Sequence, residues 1–166
     1  ARAGEGVLRL VLLPAAATLG FASCNAAPPE VGEQRAIMAR IEQLVALPDG
    51  ASPLDAYSRN YARQSDGTIV AHYVLPHPVL DDDSIDAGCS AMTEDSELRP
   101  CTEDEIKDMR EMDERIAATF GEANQSRWFA SPGELPSMYD GGCAQIEIVF
   151  DPVAGHFDRV QCNGVV

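Results

Sequence analysis

The sequence is poor in positive charge. It holds 12 lysine and arginine residues against 27 aspartate and glutamate residues, which gives a formal net charge of −15 at pH 7. A chain this acidic repels phosphate backbones, so a basic nucleic-acid-binding patch is excluded and no nucleic-acid partner is expected. It also gains no attraction from anionic lipid head groups, so any membrane anchoring must come from apolar chains.

The sequence also lacks the short motifs that mark common catalytic sites. It contains no Gly-x-Ser-x-Gly elbow, no His-Glu-x-x-His motif, no Walker loop and no dinucleotide-binding fingerprint. General acid–base candidates are scarce, because the only histidines are His72, His77 and His156. These absences favour a protein that is not an enzyme and that uses no cofactor.

A hydrophobic run long enough to remain in a bilayer is missing as well. The main apolar run, residues 10–21, would rise only about 18 Å as a helix, against a hydrocarbon core of about 30 Å. It follows Arg2 and Arg9 and ends in small residues before Cys24, an arrangement that resembles a bacterial lipoprotein signal. We expect residues 1–23 to be a signal peptide and Cys24 to carry lipid. The alternatives are an ordinary secretory signal and an uncleaved anchor.

The cysteine count agrees with export. If Cys24 carries lipid, four cysteines remain, and an even number in an oxidising compartment predicts two disulfides. Spacing favours the pairs Cys89 with Cys101 and Cys143 with Cys162. A four-cysteine zinc site is the first alternative, and it lacks any Cys-x-x-Cys pair. The second is a Cys143 nucleophile activated by His156.

After a tether at residues 24–32, residues 33–166 are expected to form a single domain. Apolar periodicity predicts a helix over residues 33–47. Alternating residues around an Asp-Gly turn predict a hairpin of residues 55–63 and 68–75. A capping box of Thr102 and Glu105 begins a second helix, and Gly121 ends it.

The tail, residues 143–163, predicts a second hairpin. In the register that places Cys143 opposite Cys162, Glu147 faces Asp158, which is an unfavourable pair. A slip by one residue would relieve that pair but would put the cysteines on opposite faces, so we prefer the disulfide register and allow a bulge within it. The expected fold is a two-layer α+β domain. It has two amphipathic helices on an antiparallel sheet of about four strands, in the order α-β-β-α-β-β.

Between the two hairpins, residues 76–101 are expected to be an acidic loop. Asp81, Asp83 and Asp86 offer the hard oxygens that Ca²⁺ prefers. The EF-hand pattern nevertheless fails, since Ile85 stands at a ligand position. We therefore favour a solvated loop over a metal site.

Three aromatic residues near the second helix are the candidate interface: Trp128, Phe129 and Tyr139. Aromatic side chains concentrate at the hot spots of protein interfaces. The alternative is that these three rings cover the sheet and the second helix as part of the core.

The chain resembles small bacterial envelope lipoproteins of unassigned function. The resemblance rests on residues 2–24 and on the tail, residues 143–164, with its Asp-Pro-x-x-Gly turn and Cys-Asn-Gly ending. It implies a protein anchored by lipid on the periplasmic side of a membrane, and Asn25 after the cysteine favours the outer membrane. Plain secretion into the periplasm is the alternative.

We expect a non-catalytic binding or structural module whose partner is an envelope protein or the cell wall. The alternatives are a small periplasmic enzyme without a recognisable motif and an acidic-loop protein that binds a metal or a cationic ligand.

Overall fold

The computed structural model describes residues 29–78, 81, 85 and 89–164. Within them the protein is a mixed α/β fold with two helices, a five-stranded sheet and a two-stranded sheet. The predicted signal peptide, Cys24, Asp83 and Asp86 lie outside the described residues.

The helices are α1 (Pro29–Leu44) and α2 (Glu103–Phe120). The strands are β1 (Ser58–Arg63), β2 (Ile69–Val74), β3 (Ser90–Met92), β4 (Leu98–Pro100), β5 (Ser126–Phe129), β6 (Gly142–Asp151) and β7 (His156–Asn163). The large sheet has the order β5-β1-β2-β6-β7, and β3 pairs with β4 in a separate hairpin.

The core lies between α1 and one face of the large sheet. Its fully buried members are Ile41, Tyr57, Tyr61, Ile69, Ala71, Tyr73, Ile146, Ile148 and Phe150. The alternation predicted for the first hairpin is confirmed in β2, where Ile69, Ala71 and Tyr73 all face this core, but not in β1, which is buried on both faces from Ser58 to Ala62. α1 begins at Pro29, earlier than predicted, since proline is tolerated in the first turn of a helix.

The predicted four-stranded antiparallel sheet is wrong in two respects. First, β5 adds a fifth strand that runs parallel to β1, with Arg59 opposite Ser126. Second, the predicted acidic loop contains the β3–β4 hairpin, in which Met92 pairs with Leu98. Both additions are short strands of three or four residues, which give too little alternation to detect in sequence.

The register of the second hairpin also differs from the prediction. Gly142 pairs with Asn163 as expected, but a shift follows and Ile146 pairs with Cys162. Glu147 consequently lies opposite Gln161 rather than Asp158, and Arg159 Nη1 approaches Glu147 Oε2 at 3.6 Å. The register shifts allow both the disulfide and this charge pair to form, which no single register permits.

The other face of the large sheet is covered by a loop and by the end of α2. Leu135 and Pro136 are buried, and the Pro136 carbonyl lies 2.9 Å from His72 Nδ1. Arg127 of β5 donates to the carbonyls of three α2 residues: Ala118, Thr119 and Phe120. The last turn of α2 is thereby held against the sheet.

Candidate ligand-binding site

The large sheet has two ends with different contents. The strand register brings together the start of β1, the end of β2 and the start of β6. The Cys143–Cys162 disulfide lies there, so we call this the cystine end. The opposite end holds the β1–β2 and β6–β7 turns, and we call it the turn end. The first turn of α1 lies near the turn end, where Arg63 Nη2 meets Glu33 Oε1 at 2.6 Å.

Both predicted disulfides are confirmed. The Cα atoms of Cys89 and Cys101 are 5.5 Å apart, and those of Cys143 and Cys162 are 4.5 Å apart. Cys143 therefore offers no free thiol, and its predicted alternative role as a nucleophile is wrong. His156 lies at the turn end and pairs with Asp158, with 2.7 Å between Nε2 and Oδ1.

A cavity of about 440 Å³ opens at the cystine end, between the end of β2, the last turn of α2 and the start of β6. We call it the His77 cavity. Its lining residues are Leu75, Pro76, His77, Pro78, Phe120, Met138 and Ala144. An apolar wall with one convergent polar group, at this volume, is typical of sites for small ligands.

The polar group of this cavity is one half of a histidine–aspartate pair. His77 Nε2 lies 2.7 Å from Oδ1 of Asp113, a buried residue of α2. An ionised carboxylate only accepts hydrogen bonds, so Nε2 carries the proton in this pair. The Phe120 ring stacks on the imidazole at 6.4 Å between ring centroids. Within the described part of the chain, Nδ1 of His77 has no hydrogen-bond partner.

The cavity walls are held by their own hydrogen bonds. Leu75 N donates to the Ala144 carbonyl at 2.8 Å, which joins β2 to β6. Met138 N donates to the side-chain oxygen of fully buried Gln145 at 2.7 Å, and Asn163 donates to the Met138 carbonyl. These bonds fix the positions of Leu75, Met138 and Ala144 around the cavity.

The turn end carries a larger but more polar groove of about 770 Å³. Glu30, Glu33, Arg63, Trp128 and Phe129 are among its lining residues. Its charged side chains Glu33 and Arg63 already form an ion pair with each other. We therefore regard the His77 cavity as the better candidate site.

The structure does not bring the three candidate interface aromatics together. Trp128 and Phe129 lie at the turn end and are half-buried; the Arg127 guanidinium lies 5.3 Å from the Phe129 ring centroid. Tyr139 is fully exposed at the cystine end, one residue after Met138 of the cavity wall. Only Tyr139 adjoins the candidate site.

A closed polar cluster fastens α1 to the sheet. Glu42 Oε1 accepts from the Tyr61 hydroxyl at 2.8 Å and from Ser126 Oγ at 2.6 Å. The Tyr73 hydroxyl lies 2.9 Å from that of Tyr61. Burial raises the pKa of both tyrosines well above the usual range, so both remain neutral hydroxyls. With its groups bonded to one another, the cluster is structural.

The calcium candidates gain no support. Asp81 is exposed, and Asp83 and Asp86 are not among the described residues. No group of three or more metal-binding side chains occurs within residues 29–78 and 89–164.

Sequence reasoning missed the His77–Asp113 pair, because its two members are 36 residues apart. A signal was present: Asp113 lies between Met109 and Ile116 on the apolar stripe of α2, where a carboxylate needs a partner.

Comparison with protein-family models, curated proteins and solved structures finds no match to this chain. In the part of the chain that the structure describes, neither helix is long and apolar enough to cross a membrane.

Proposed function

We propose that the protein is a non-catalytic, lipid-anchored module of the bacterial cell envelope that binds its ligand or partner at the cystine end. The observation that carries the proposal is the separation of the two ends. The described chain begins at the turn end, whereas the His77 cavity and exposed Tyr139 lie at the cystine end. An anchor that precedes α1 would leave the cystine end facing away from the membrane.

Cysteine pairing supports lipidation. Four of the five cysteines are joined in two disulfides, so Cys24 has no cysteine partner left within the chain. The disulfides also favour an oxidising compartment, such as the periplasm. Since α1 begins at Pro29, the link from Cys24 spans at most about 18 Å, which would keep the turn end beside the bilayer.

Binding is favoured over catalysis by what lines the cavity. The His77–Asp113 pair resembles the base and the orienting acid of a hydrolase, but no Ser, Thr or Cys is among the residues that line the cavity. The second candidate function, a small periplasmic enzyme, rests on this same pair. It would use His77 as a general base on water.

The anchor is tested by replacing Cys24 with Ala in a bacterial host that processes lipoproteins. We expect the variant to move from the detergent-extracted membrane fraction to the soluble periplasmic fraction. The matched control is the double variant Cys89→Ala/Cys101→Ala, which keeps Cys24 and should stay with the membrane. Membrane retention of Cys24→Ala would contradict the lipid anchor.

The orientation is tested by site-specific photo-crosslinking in intact cells. Tyr139 and Val153 are a matched pair, because both are fully exposed but lie at opposite ends of the sheet. We expect a crosslinker at position 139 to give a defined adduct with an envelope component, and one at position 153 to give none or only lipid. An adduct from position 153 alone would place the binding surface at the turn end and overturn the proposal.

A further inference from the structure

We propose that the His77 cavity binds a small neutral molecule that has an apolar body and one hydroxyl group, with the hydroxyl bonded to Nδ1 of His77. This inference names the ligand class for the site described above, and it rests on the proposed binding function.

The size and the lining of the cavity define the apolar body. An apolar cavity of about 150 Å³ is enough to hold benzene, so about 440 Å³ at the cystine end has room for a substituted ring. Phe120 and Leu75 provide flat and branched apolar surface, and Pro76 and Pro78 restrict the backbone on either side of His77.

His77 defines the polar group. Its Nε2 is committed to Asp113, which fixes the ring orientation and leaves Nδ1 as the ring atom without a partner in the described chain. Nδ1 accepts a hydrogen bond when the ring is neutral and donates one when the ring is charged. A hydroxyl group can form a hydrogen bond with Nδ1 in either state of the ring, because a hydroxyl both donates and accepts.

Charge argues for a neutral ligand. The protein carries a net charge of −15, and the carboxylate of Asp113 lies directly behind the imidazole, so an anion is repelled. A cation would gain from the overall charge, but no acidic side chain is among the cavity-lining residues, and the Asp113 carboxylate behind the imidazole is already bonded to Nε2. A cation in the cavity would therefore lack a carboxylate in direct contact with it.

The test compares p-cresol, toluene and 4-methylbenzoate, which share one ring and differ in the polar group. Binding to the purified full-length protein is measured by NMR chemical-shift titration. We expect p-cresol to bind about fivefold to tenfold more tightly than toluene, as one hydrogen bond would give, and 4-methylbenzoate to bind more weakly than either. No binding of p-cresol, or equal affinity for all three, overturns the proposal.

Two variants separate the polar contact from the cavity. His77→Phe keeps a ring in the wall but removes Nδ1, so the ratio of p-cresol affinity to toluene affinity should fall from fivefold or tenfold to about one, whatever happens to toluene affinity itself. Ala144→Leu fills the cavity without changing His77 and should weaken both ligands at least tenfold. Thermal unfolding of each variant verifies the fold, and Val153→Ala at the turn end is the control that should change nothing.

The outcomes also separate this proposal from the proposed function. If His77→Phe leaves the p-cresol preference unchanged, the ligand class is wrong, whereas a crosslink at position 139 would still support the anchored module. If p-cresol binds as expected but no crosslink forms at position 139, the ligand site is supported and the proposed binding of an envelope partner is contradicted.

Discussion

Gly121 ends α2 in a backbone conformation that side chains rarely adopt. Its φ is +82°, and a Cβ atom there would lie 2.6 Å from Ser58 Oγ and 2.7 Å from Arg127 Cζ. Arg127 occupies that space because it donates to the last carbonyls of α2. The glycine therefore serves two purposes: it turns the chain, and it makes room for the guanidinium that caps the helix.

A series of three glycine variants separates these two purposes. Gly133→Ala has an ordinary φ and open space, so its unfolding free energy should change by less than about 0.5 kcal/mol. Position 67 has a φ of +93° but open space around an added Cβ atom, so Gly67→Ala should lower the unfolding free energy by about 1–2 kcal/mol. Gly121→Ala should lose at least about 1 kcal/mol more than Gly67→Ala, measured by urea denaturation. Equal losses for the two would mean that the contact with Arg127 adds nothing.

Glu105 is a side chain of the first turn of α2 that takes part in its capping box. Arg99 donates to both of its carboxylate oxygens at 2.7 Å, and Thr102 N donates to Oε2 at 2.8 Å. These bonds, those from Arg99 first, lower the pKa of Glu105 from its ordinary value of 4.5 to about 2. A lowered pKa in the folded state means that ionised Glu105 stabilises the fold.

This contribution should be complete above about pH 4.5 and should disappear as the pH falls through about 2. We expect an NMR titration of the Glu105 carboxyl carbon to give a midpoint near the lowered pKa of about 2. Arg99→Gln should move the midpoint upward towards 4.5 without unfolding the protein. A wild-type midpoint already near 4.5 would show that the Arg99 bonds do not hold in solution.

Among the secondary-structure elements, those with local signals were the predictable ones. The capping box of Thr102 and Glu105 begins α2, and Gly121 ends it, as the sequence indicated. The β1–β2 hairpin is confirmed for a similar reason, since its turn and its alternation lie within one short segment. β5 had no such signal, because its pairing partner β1 lies far away in the sequence and a parallel neighbour requires a crossover.

The candidate site also divides into features with a signal in the sequence and features that depend on long-range contacts. The disulfides followed from cysteine count and spacing, which are properties of the sequence alone. The His77 cavity depends on three separate elements that meet only in the folded chain, so periodicity could not place it. The register of β6 and β7 was predicted only at its disulfide end, because the shifts depend on side-chain packing along the strands.

The Cys143–Cys162 disulfide joins β6 to β7 at the point where their register shifts. We expect the double variant Cys143→Ala/Cys162→Ala to lose about 2–4 kcal/mol of unfolding free energy, measured by urea denaturation. The Cys89–Cys101 disulfide closes a shorter loop, so the double variant Cys89→Ala/Cys101→Ala should lose slightly less unfolding free energy. Alkylation of native wild-type Cys143 would show a free thiol and would contradict the pairing.

At the scale of the whole molecule, composition gives a prediction about partners but none about the arrangement of the strands. The acidic balance, with 27 acidic and 12 basic residues, is enough by itself to argue against a nucleic-acid partner. The opposition of the turn end and the cystine end could not be predicted in this way. It follows from the strand order, which in turn depends on long-range pairings such as Val74 with Gln145.

The strand order β5-β1-β2-β6-β7 has a consequence for synthesis and export. The β1–β2 hairpin is made first, yet both of its edges are covered by strands from the C-terminal part of the chain. β5 covers β1 and β6 covers β2, so neither edge has a partner until the last third of the chain has emerged. During that interval the hairpin offers two open edges to other newly made chains. A chain truncated before β5 would keep them open permanently, so the last third is needed to protect the first hairpin from aggregation.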